Sequence, residues 1–177
     1  MKEIVAQTLD IYFKKLREPK IEELTSVESS LTSEKGCCFV TLYLNGEVHG
    51  SAGNIKEISK SLAEELIANT MQALTGDKRF TPLTLEQSEK LQFRVDHIVD
   101  RKMITLKDLK KLDPLTSGVI VIKRDYEKLA VVLPNMSPKI MTGDDFVGVL
   151  LKKLKEKKFK ESDYIIYSII TKAETNF

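Results

Sequence analysis

The sequence predicts an α+β domain with a mainly antiparallel β-sheet flanked by helices, and it leaves room for a smaller subdomain. The predicted order of elements, α-β-β-α-(α)-β-(α)-β-β-α-β, lacks the regular alternation of a doubly wound fold. Asn45-Gly46 stands between two β-rich runs and is a strong signal for a hairpin. Apolar and polar residues alternate from Leu91 to Asp96, as in a strand with one solvated face. No linker or repeat divides the chain, so residues 1–177 are predicted to form one domain.

The first half of the chain is predicted to place two helices around the hairpin. Apolar residues at helical spacing indicate the first helix over 2–16, and a long polar connection over 22–36 follows. The second helix starts with a capping-box sequence at Ser61 and ends at Gly76. A short helix capped by Thr84 then precedes the alternating strand.

The second half is predicted to contain three more strands and two helices. The alternation of the strand after residue 90 breaks at 97–99, which indicates a bulge or a change of surroundings. The later elements are predicted as a short helix over 105–112, strands over 119–123 and 129–133, a helix over 146–159 and a strand over 164–171.

Composition excludes several classes of protein. The hydrophobic share of 42% and the charged share of 31% are those of a globular chain rather than a disordered one. Lys+Arg 28 against Asp+Glu 26 gives a net charge of +2, too small by itself to indicate nucleic-acid binding. No apolar run approaches the ~20 residues that cross a bilayer, and the N-terminus lacks the apolar segment of a secretory signal. The predicted location is therefore the cytoplasm, with no membrane association.

Cysteine and histidine spacing gives no reason to expect a metal or another cofactor. Cys37 and Cys38 are adjacent, so on a strand they point to opposite faces and cannot share one metal ion. His49 and His97 are the only histidines, and neither belongs to a zinc-binding pattern. Reduced thiols in a half-buried strand are the predicted state.

The second strand of the hairpin is the predicted site. A two-residue loop at Asn45-Gly46 would place Leu42 opposite His49 and Val40 opposite Ser51. Strand alternation then puts His49, Ser51 and Cys38 on one face. The Cα atoms of His49 and Ser51 would lie about 6.6 Å apart, too far for a Ser–His catalytic pair made of these two residues alone.

Two glycines in this strand predict a close approach of another group. Gly50 and Gly53 flank Ser51, and a backbone without Cβ atoms lets a neighbouring segment or a ligand come near. The loop over 77–83 is the predicted neighbour, with Phe80 and Pro82 as a wall. The candidate cleft comprises His49, Gly50, Ser51, Gly53, Cys38, Asp77 and Arg79. Asp77 and Arg79 either pair with each other or present a guanidinium to an anionic ligand.

Four runs of this sequence resemble the AMMECR family, named for an Alport-syndrome chromosomal region. The run from Phe39 to Gly53 is similar to the family's hairpin and its Arg-Gly-Cys-Ile-Gly signature. Asp77-Lys78-Arg79-Phe80 is similar to the family's Asp-Pro-Arg-Phe run. The stretches 118–134 and 144–167 resemble its second hairpin and its closing helix and strand. At the signature, His49, Ser51 and Ala52 replace arginine, cysteine and isoleucine, while both glycines remain.

The resemblance implies an α+β fold whose signature lies at a cleft, and association with Memo-type and radical-S-adenosylmethionine proteins. It implies no particular reaction. The first functional hypothesis is therefore an accessory or interaction domain that presents the cleft to a partner protein or a small ligand. An enzyme is the less favoured hypothesis, because Ser51 stands where the family has cysteine and a serine needs a neighbouring base.

A lysine-rich stretch supports the second functional hypothesis, a nucleic-acid-associated module, which ranks ahead of the enzyme. Six lysines occur within nine residues, at Lys152, Lys153, Lys155, Lys157, Lys158 and Lys160. A solvated helix end is the simpler interpretation, because the helix dipole favours lysine there and the sequence shows no arginine cluster or interleaved aromatic platform. Lys107, Lys110 and Lys111 would extend the patch if the fold brings them close.

Overall fold

A computed structural model describes residues 1–177. The chain folds into two compact units. Unit 1 comprises residues 1–97 and 173–177, and unit 2 comprises residues 98–172. The helices are α1 (Lys2–Lys15), α2 (Ser29–Ser33), α3 (Leu62–Met71), α4 (Leu85–Ser88), α5 (Leu106–Leu109) and α6 (Gly143–Leu154). The strands are β1 (Cys37–Leu44), β2 (Glu47–Gly53), β3 (Leu91–Met103), β4 (Gly118–Lys123), β5 (Leu129–Val132) and β6 (Tyr164–Thr175).

The strands form an antiparallel sheet in the order β2-β1-β3-β6-β4-β5, which confirms the predicted α+β class. β1 pairs antiparallel with β2, and β4 pairs antiparallel with both β5 and β6. β2 and β5 are the outer strands of this order. None of the helices is both long and apolar enough to span a membrane.

Unit 1 packs α1 and α3 over the β1–β2 hairpin. Ile4 and Val5 of α1, Leu66 of α3, and Val40 and Leu42 of β1 are each at most 1% exposed and share one apolar cluster. Burying a side chain of this size contributes about 1.5–3 kcal/mol, so these residues fix α3 against the hairpin. The predicted polar connection before β1 contains two short helical segments, Ile21–Glu23 and Ser29–Ser33.

The hairpin turn forms as predicted, but the register beyond it does not. Asn45 and Gly46 have φ angles of 53° and 80°, and Leu44 pairs with Glu47. β2 then carries one extra residue, His49, at a bulge. Leu42 therefore pairs with Gly50 instead of His49, and Val40 pairs with Ala52 instead of Ser51. The predicted register was wrong because a single inserted residue reverses the face of every side chain that follows it.

The face of β3 that was predicted to be solvated is buried at Arg94 and Asp96. Arg94 and Asp96, which the alternation assigned to solvent, have side chains that are 12% and 0% exposed. Arg94 donates from Nε and Nη2 to the two carboxylate oxygens of Asp96, at 2.7 and 2.6 Å. Two opposite charges spaced i, i+2 neutralise each other on one strand face, which allows the face to be buried. β3 continues unbroken through 97–99, and its residues become exposed from Val99 onward.

Unit 2 packs α6 against the β4–β5 hairpin and β6. Phe146 and Leu150 of α6 share an apolar cluster with Val119, Val121 and Ile166. α6 ends at Leu154 and not at Phe159 as predicted, because Lys155 adopts a left-handed conformation with φ 56°. The second half of the lysine-rich stretch therefore lies beyond the helix.

Candidate functional site on strand β2 and the strap

Gly50 of β2 lies against the end of α3. The chain leaves α3 through a π-helical turn at Gln72–Gly76. A Cβ atom built on Gly50 would overlap the carbonyl oxygen of Ala73 in this turn and lie 3.1 Å from its carbonyl carbon. A close backbone approach at Gly50 was predicted, but the neighbour is this turn and not the 77–83 loop. The glycine allows β2 to pack directly on backbone.

Gly53 makes room for an aromatic ring at the end of the same strand. It pairs with Phe39, and the ring of Phe39 occupies the space that a Cβ atom on Gly53 would take. The two glycines of the signature therefore have different roles. The missing Cβ atom at Gly50 leaves room for the backbone of Ala73, and the missing Cβ atom at Gly53 leaves room for the ring of Phe39 on the neighbouring strand.

The segment 77–82, here named the strap, contacts the outer strand β2 at His49 and Ser51. The backbone N–H of Ser51 donates to Oδ2 of Asp77 at 3.1 Å. His49 Nε2 lies 3.0 Å from the carbonyl oxygen of Thr81, a hydrogen bond in which Nε2 donates. The rings of His49 and Phe80 pack with centroids 5.3 Å apart. The strap thus satisfies an outward N–H group of an edge strand.

The carboxylate of Asp77 also binds the guanidinium of Arg79, two residues further along the strap. Arg79 Nε donates to Asp77 Oδ1 at 2.8 Å, and Arg79 Nη2 donates to Asp77 Oδ2. These hydrogen bonds from Arg79, helped by the backbone N–H groups of Arg79 and Ser51, lower the pKa of Asp77 to about 2. The side chain of Arg79 is 67% exposed, and its guanidinium carbon lies 5.2 Å from the centroid of Phe80. A guanidinium has five N–H groups, so the bidentate pair leaves donors for a further anionic group.

The hydroxyl of Ser51 is paired with a hydroxyl and not with a base. Ser51 Oγ lies 3.1 Å from Thr41 Oγ1, and Thr41 is 1% exposed. Ser51 therefore lies on the Thr41 face of the hairpin, opposite to the face of Val40 and Cys38. Thr41 was missed in the sequence because only the bulge at His49 brings it opposite Ser51.

Cys38 was predicted to lie near Ser51, and this was wrong. Its thiol is buried beside α3, where Asn69 Nδ2 lies 3.4 Å from Sγ. Burial raises the pKa of Cys38 to about 12, although the hydrogen bond from Asn69 opposes this shift. The register shift explains the separation, because it moves Ser51 to the other face of the sheet.

A buried carboxylate on α3 organises the polar groups around Cys38. Glu65 is 1% exposed and accepts hydrogen bonds from Asn54 Nδ2 at 2.6 Å, Asn69 Nδ2 at 3.1 Å and the Ser59 backbone at 3.1 Å. Burial by itself raises the pKa of Glu65, but these hydrogen bonds outweigh it and leave the pKa below its ordinary value. The network fixes the 54–61 connection to the helix.

The lysine-rich stretch is exposed at all six lysines and lies in unit 2. Lys110 of α5 pairs with Asp144 at the start of α6, 3.3 Å away. The backbone N–H of Leu106, at the start of α5, donates to Glu161, the residue after Lys160. α5 therefore contacts the chain just beyond the lysines, and the extension of the patch by Lys107, Lys110 and Lys111 stays a prediction. No group of three His, Cys, Asp or Glu side chains is arranged to hold a metal ion.

The fold and the site describe an α+β domain whose glycine-containing edge strand is covered by an Asp-x-Arg-Phe strap. The AMMECR1 family model matches residues 3–169, and the chain belongs to this family. It is 29% identical over 157 residues to the protein CA_C1420 of Clostridium acetobutylicum, a match that covers 83% of this chain. It is 32% identical over 104 residues to a Thermotoga maritima protein, a match that covers 58% of this chain.

The solved structure of Pyrococcus horikoshii PH0010 has the same fold. The two structures align with a TM-score of 0.79 and 20% sequence identity, over 96% of this chain and 86% of that one. The matched segments make up only 32% of the Clostridium protein and 59% of the Thermotoga protein. The chain thus spans about a third of one relative and under two thirds of the other.

Proposed function

We propose that this chain is an accessory domain that works in the cytoplasm and binds a partner protein through β2 and the strap. The observation that carries the proposal is the exposed guanidinium of Arg79, held by Asp77 and packed on Phe80. An arginine that is already oriented and has unused donors loses little side-chain entropy when it binds a carboxylate. The favoured ligand is therefore an acidic side chain or terminus presented beside an apolar group.

The neighbouring side chains supply the rest of a binding surface. Phe80 and His49 form an adjoining pair of rings, and Val48 on β2 is 38% exposed. Aromatic residues and arginine are the residue types enriched where binding energy concentrates. The Clostridium relative, two thirds of which lies outside the match, supports a domain that operates beside further polypeptide.

The contacts of Ser51 support binding over catalysis. A serine nucleophile needs a general base within hydrogen-bond reach of its hydroxyl. The hydrogen bonds of the nearest candidates go elsewhere, because His49 Nε2 donates to the Thr81 carbonyl and Asp77 accepts from Arg79 and from the Ser51 backbone.

The partners to test first are those implied by the family resemblance, a Memo-type protein and a radical-S-adenosylmethionine protein of the same organism. The chain is co-expressed with each, and complexes are measured by size-exclusion chromatography and calorimetry. We expect the wild-type chain to form a complex with one of them. Arg79→Glu should weaken this complex at least about tenfold, because a glutamate at this position would repel the acidic group that Arg79 attracts.

Lys90→Glu is the matched control, because Lys90 is also an exposed cation of unit 1 but lies outside the strap. It should bind like wild type. Absence of any complex with both proteins, or equal binding by Arg79→Glu and wild type, would contradict the proposal.

A further inference from the structure

The lysine-rich stretch adjoins the tip of the β4–β5 hairpin within unit 2. Glu156, the one acidic residue among the lysines, accepts from Lys128 Nζ at 2.7 Å and lies 3.7 Å from Lys123 Nζ. Lys123 and Lys128 are the two ends of the hairpin connection. These ion pairs hold residues 123–128 beside residues 152–160, and the two segments together are named the basic surface.

The basic surface concentrates positive charge that the net charge of the whole chain conceals. Unit 2 contains sixteen Lys and Arg residues against ten Asp and Glu, whereas unit 1 contains twelve against sixteen. The basic surface alone holds nine Lys and Arg residues against three Asp and Glu. Charge asymmetry of this kind indicates a polyanionic ligand for the basic part.

The hairpin tip adds the exposed aromatic residue that the linear sequence does not place among the lysines. Tyr126 is 77% exposed and has φ 62°, in a turn closed by its N–H donating to the Lys123 carbonyl at 2.8 Å. A left-handed conformation is uncommon for a tyrosine, and here it occurs at the end of a tight turn. An exposed ring beside a row of cations is how proteins bind single-stranded nucleic acid, with bases stacked on the ring and phosphates on the lysines.

We propose that the basic surface binds single-stranded nucleic acid, with Tyr126 as the stacking residue and the lysines as phosphate contacts. Insertion into an anionic membrane would require an apolar helix face between the lipids, and the vesicle arm of the test below measures purely electrostatic membrane binding. Phe146, Leu150 and Leu154 of α6 are instead packed into the protein, at 0%, 0% and 2% exposed. The proposal is independent of the strap and of the function proposed for it.

The experiment measures the affinity of the whole chain for fluorescein-labelled oligo-U and oligo-dT by anisotropy, from 50 to 200 mM salt. Replacing Lys155, Lys157 and Lys158 by Gln should reduce the slope of log affinity against log salt by about 2, since each phosphate contact on a single strand contributes about 0.7. Tyr126→Ala should weaken binding about five- to hundredfold and leave the salt slope unchanged, because stacking releases no counterions.

The matched control replaces three exposed lysines of unit 1, Lys35, Lys56 and Lys90, by Gln. This change removes the same charge and should leave both affinity and slope near the wild-type values. Circular dichroism verifies that each variant is folded. The proposal is overturned by no binding to either oligonucleotide at 50 mM salt, by equal effects of the two lysine triples, or by binding to phosphatidylserine vesicles alone.

Discussion

Adding a single methyl group at Gly50 should be among the most destabilising small changes in unit 1. The new Cβ atom would overlap the Ala73 carbonyl oxygen, and that oxygen belongs to the backbone of the π-helical turn after α3. A flexible side chain could rotate away, but this carbonyl can move only if the end of α3 moves. α3 is fixed by Leu66, which is fully buried, so the cost lies at the upper end of the range for overpacking, about 3 kcal/mol.

Equilibrium unfolding in urea, followed by far-UV circular dichroism, measures this cost. With an m value of about 2–3 kcal/mol/M, a loss of about 3 kcal/mol lowers the midpoint by about 1 M. Gly148→Ala makes the same chemical change in α6, where nothing lies within 4 Å of the added Cβ atom. It should stabilise the protein by about 0.5–1 kcal/mol, because alanine is the better helix former.

Ser51→Ala tests whether a substitution at the residue next to Gly50 destabilises the protein as much. It removes the hydroxyl that pairs with Thr41 and creates no overlap, so we expect a loss of about 1 kcal/mol. The reasoning is refuted if Gly50→Ala unfolds within 0.5 M of wild type, or if Ser51→Ala is the more damaging of the two substitutions.

Three further predictions concern ionisable groups of unit 1. The low pKa of Asp77, about 2 against about 3.9 in an unfolded chain, contributes stability that is complete above about pH 4 and is lost as the pH falls toward 2. The free energy of unfolding of Asp77→Asn should therefore fall less between about pH 4 and pH 2 than that of wild type. The same pH dependence in both proteins would contradict this prediction. Glu65→Leu should cost about 3 kcal/mol or more, because it leaves several buried donors unsatisfied, and a thermal melt measures it. Cys38 should resist a thiol reagent until urea unfolds the chain, and the half-buried Cys37 should react first in the native protein.

Most elements could be predicted because their signals are local. Ser61 Oγ accepts from the Glu64 N–H at the start of α3, and Thr84 and Gln87 form the capping box of α4, as the sequence indicates. The end of α6 was missed because nothing in a lysine-rich run marks where a helix stops. A left-handed residue at Lys155 ends the helix, and that conformation carries no composition signal.

The candidate site was harder to predict than the fold because its arrangement depends on one inserted residue. The glycines and the strap were identified from residue types, and the structure brings His49, Ser51, Asp77 and Arg79 together. The face of Ser51 was not predictable from the turn, since a bulge depends on packing beyond the strand itself. The same argument applies to Arg94 and Asp96, whose mutual pairing hides a polar face that alternation assigns to solvent.

The bulge and the strap depend on one another through Asp77. Its carboxylate accepts from the Ser51 backbone just after the bulge and also holds the guanidinium of Arg79. Asn at position 77 could still accept from the Ser51 N–H, but it could not form the charged bidentate pair. The strap would then keep its place on β2 while Arg79 lost its orientation. If the proposed partner binding requires an oriented guanidinium, Asp77→Asn should weaken it while the hydrogen-exchange protection of Ser51 persists, which separates a role in binding from a role in folding.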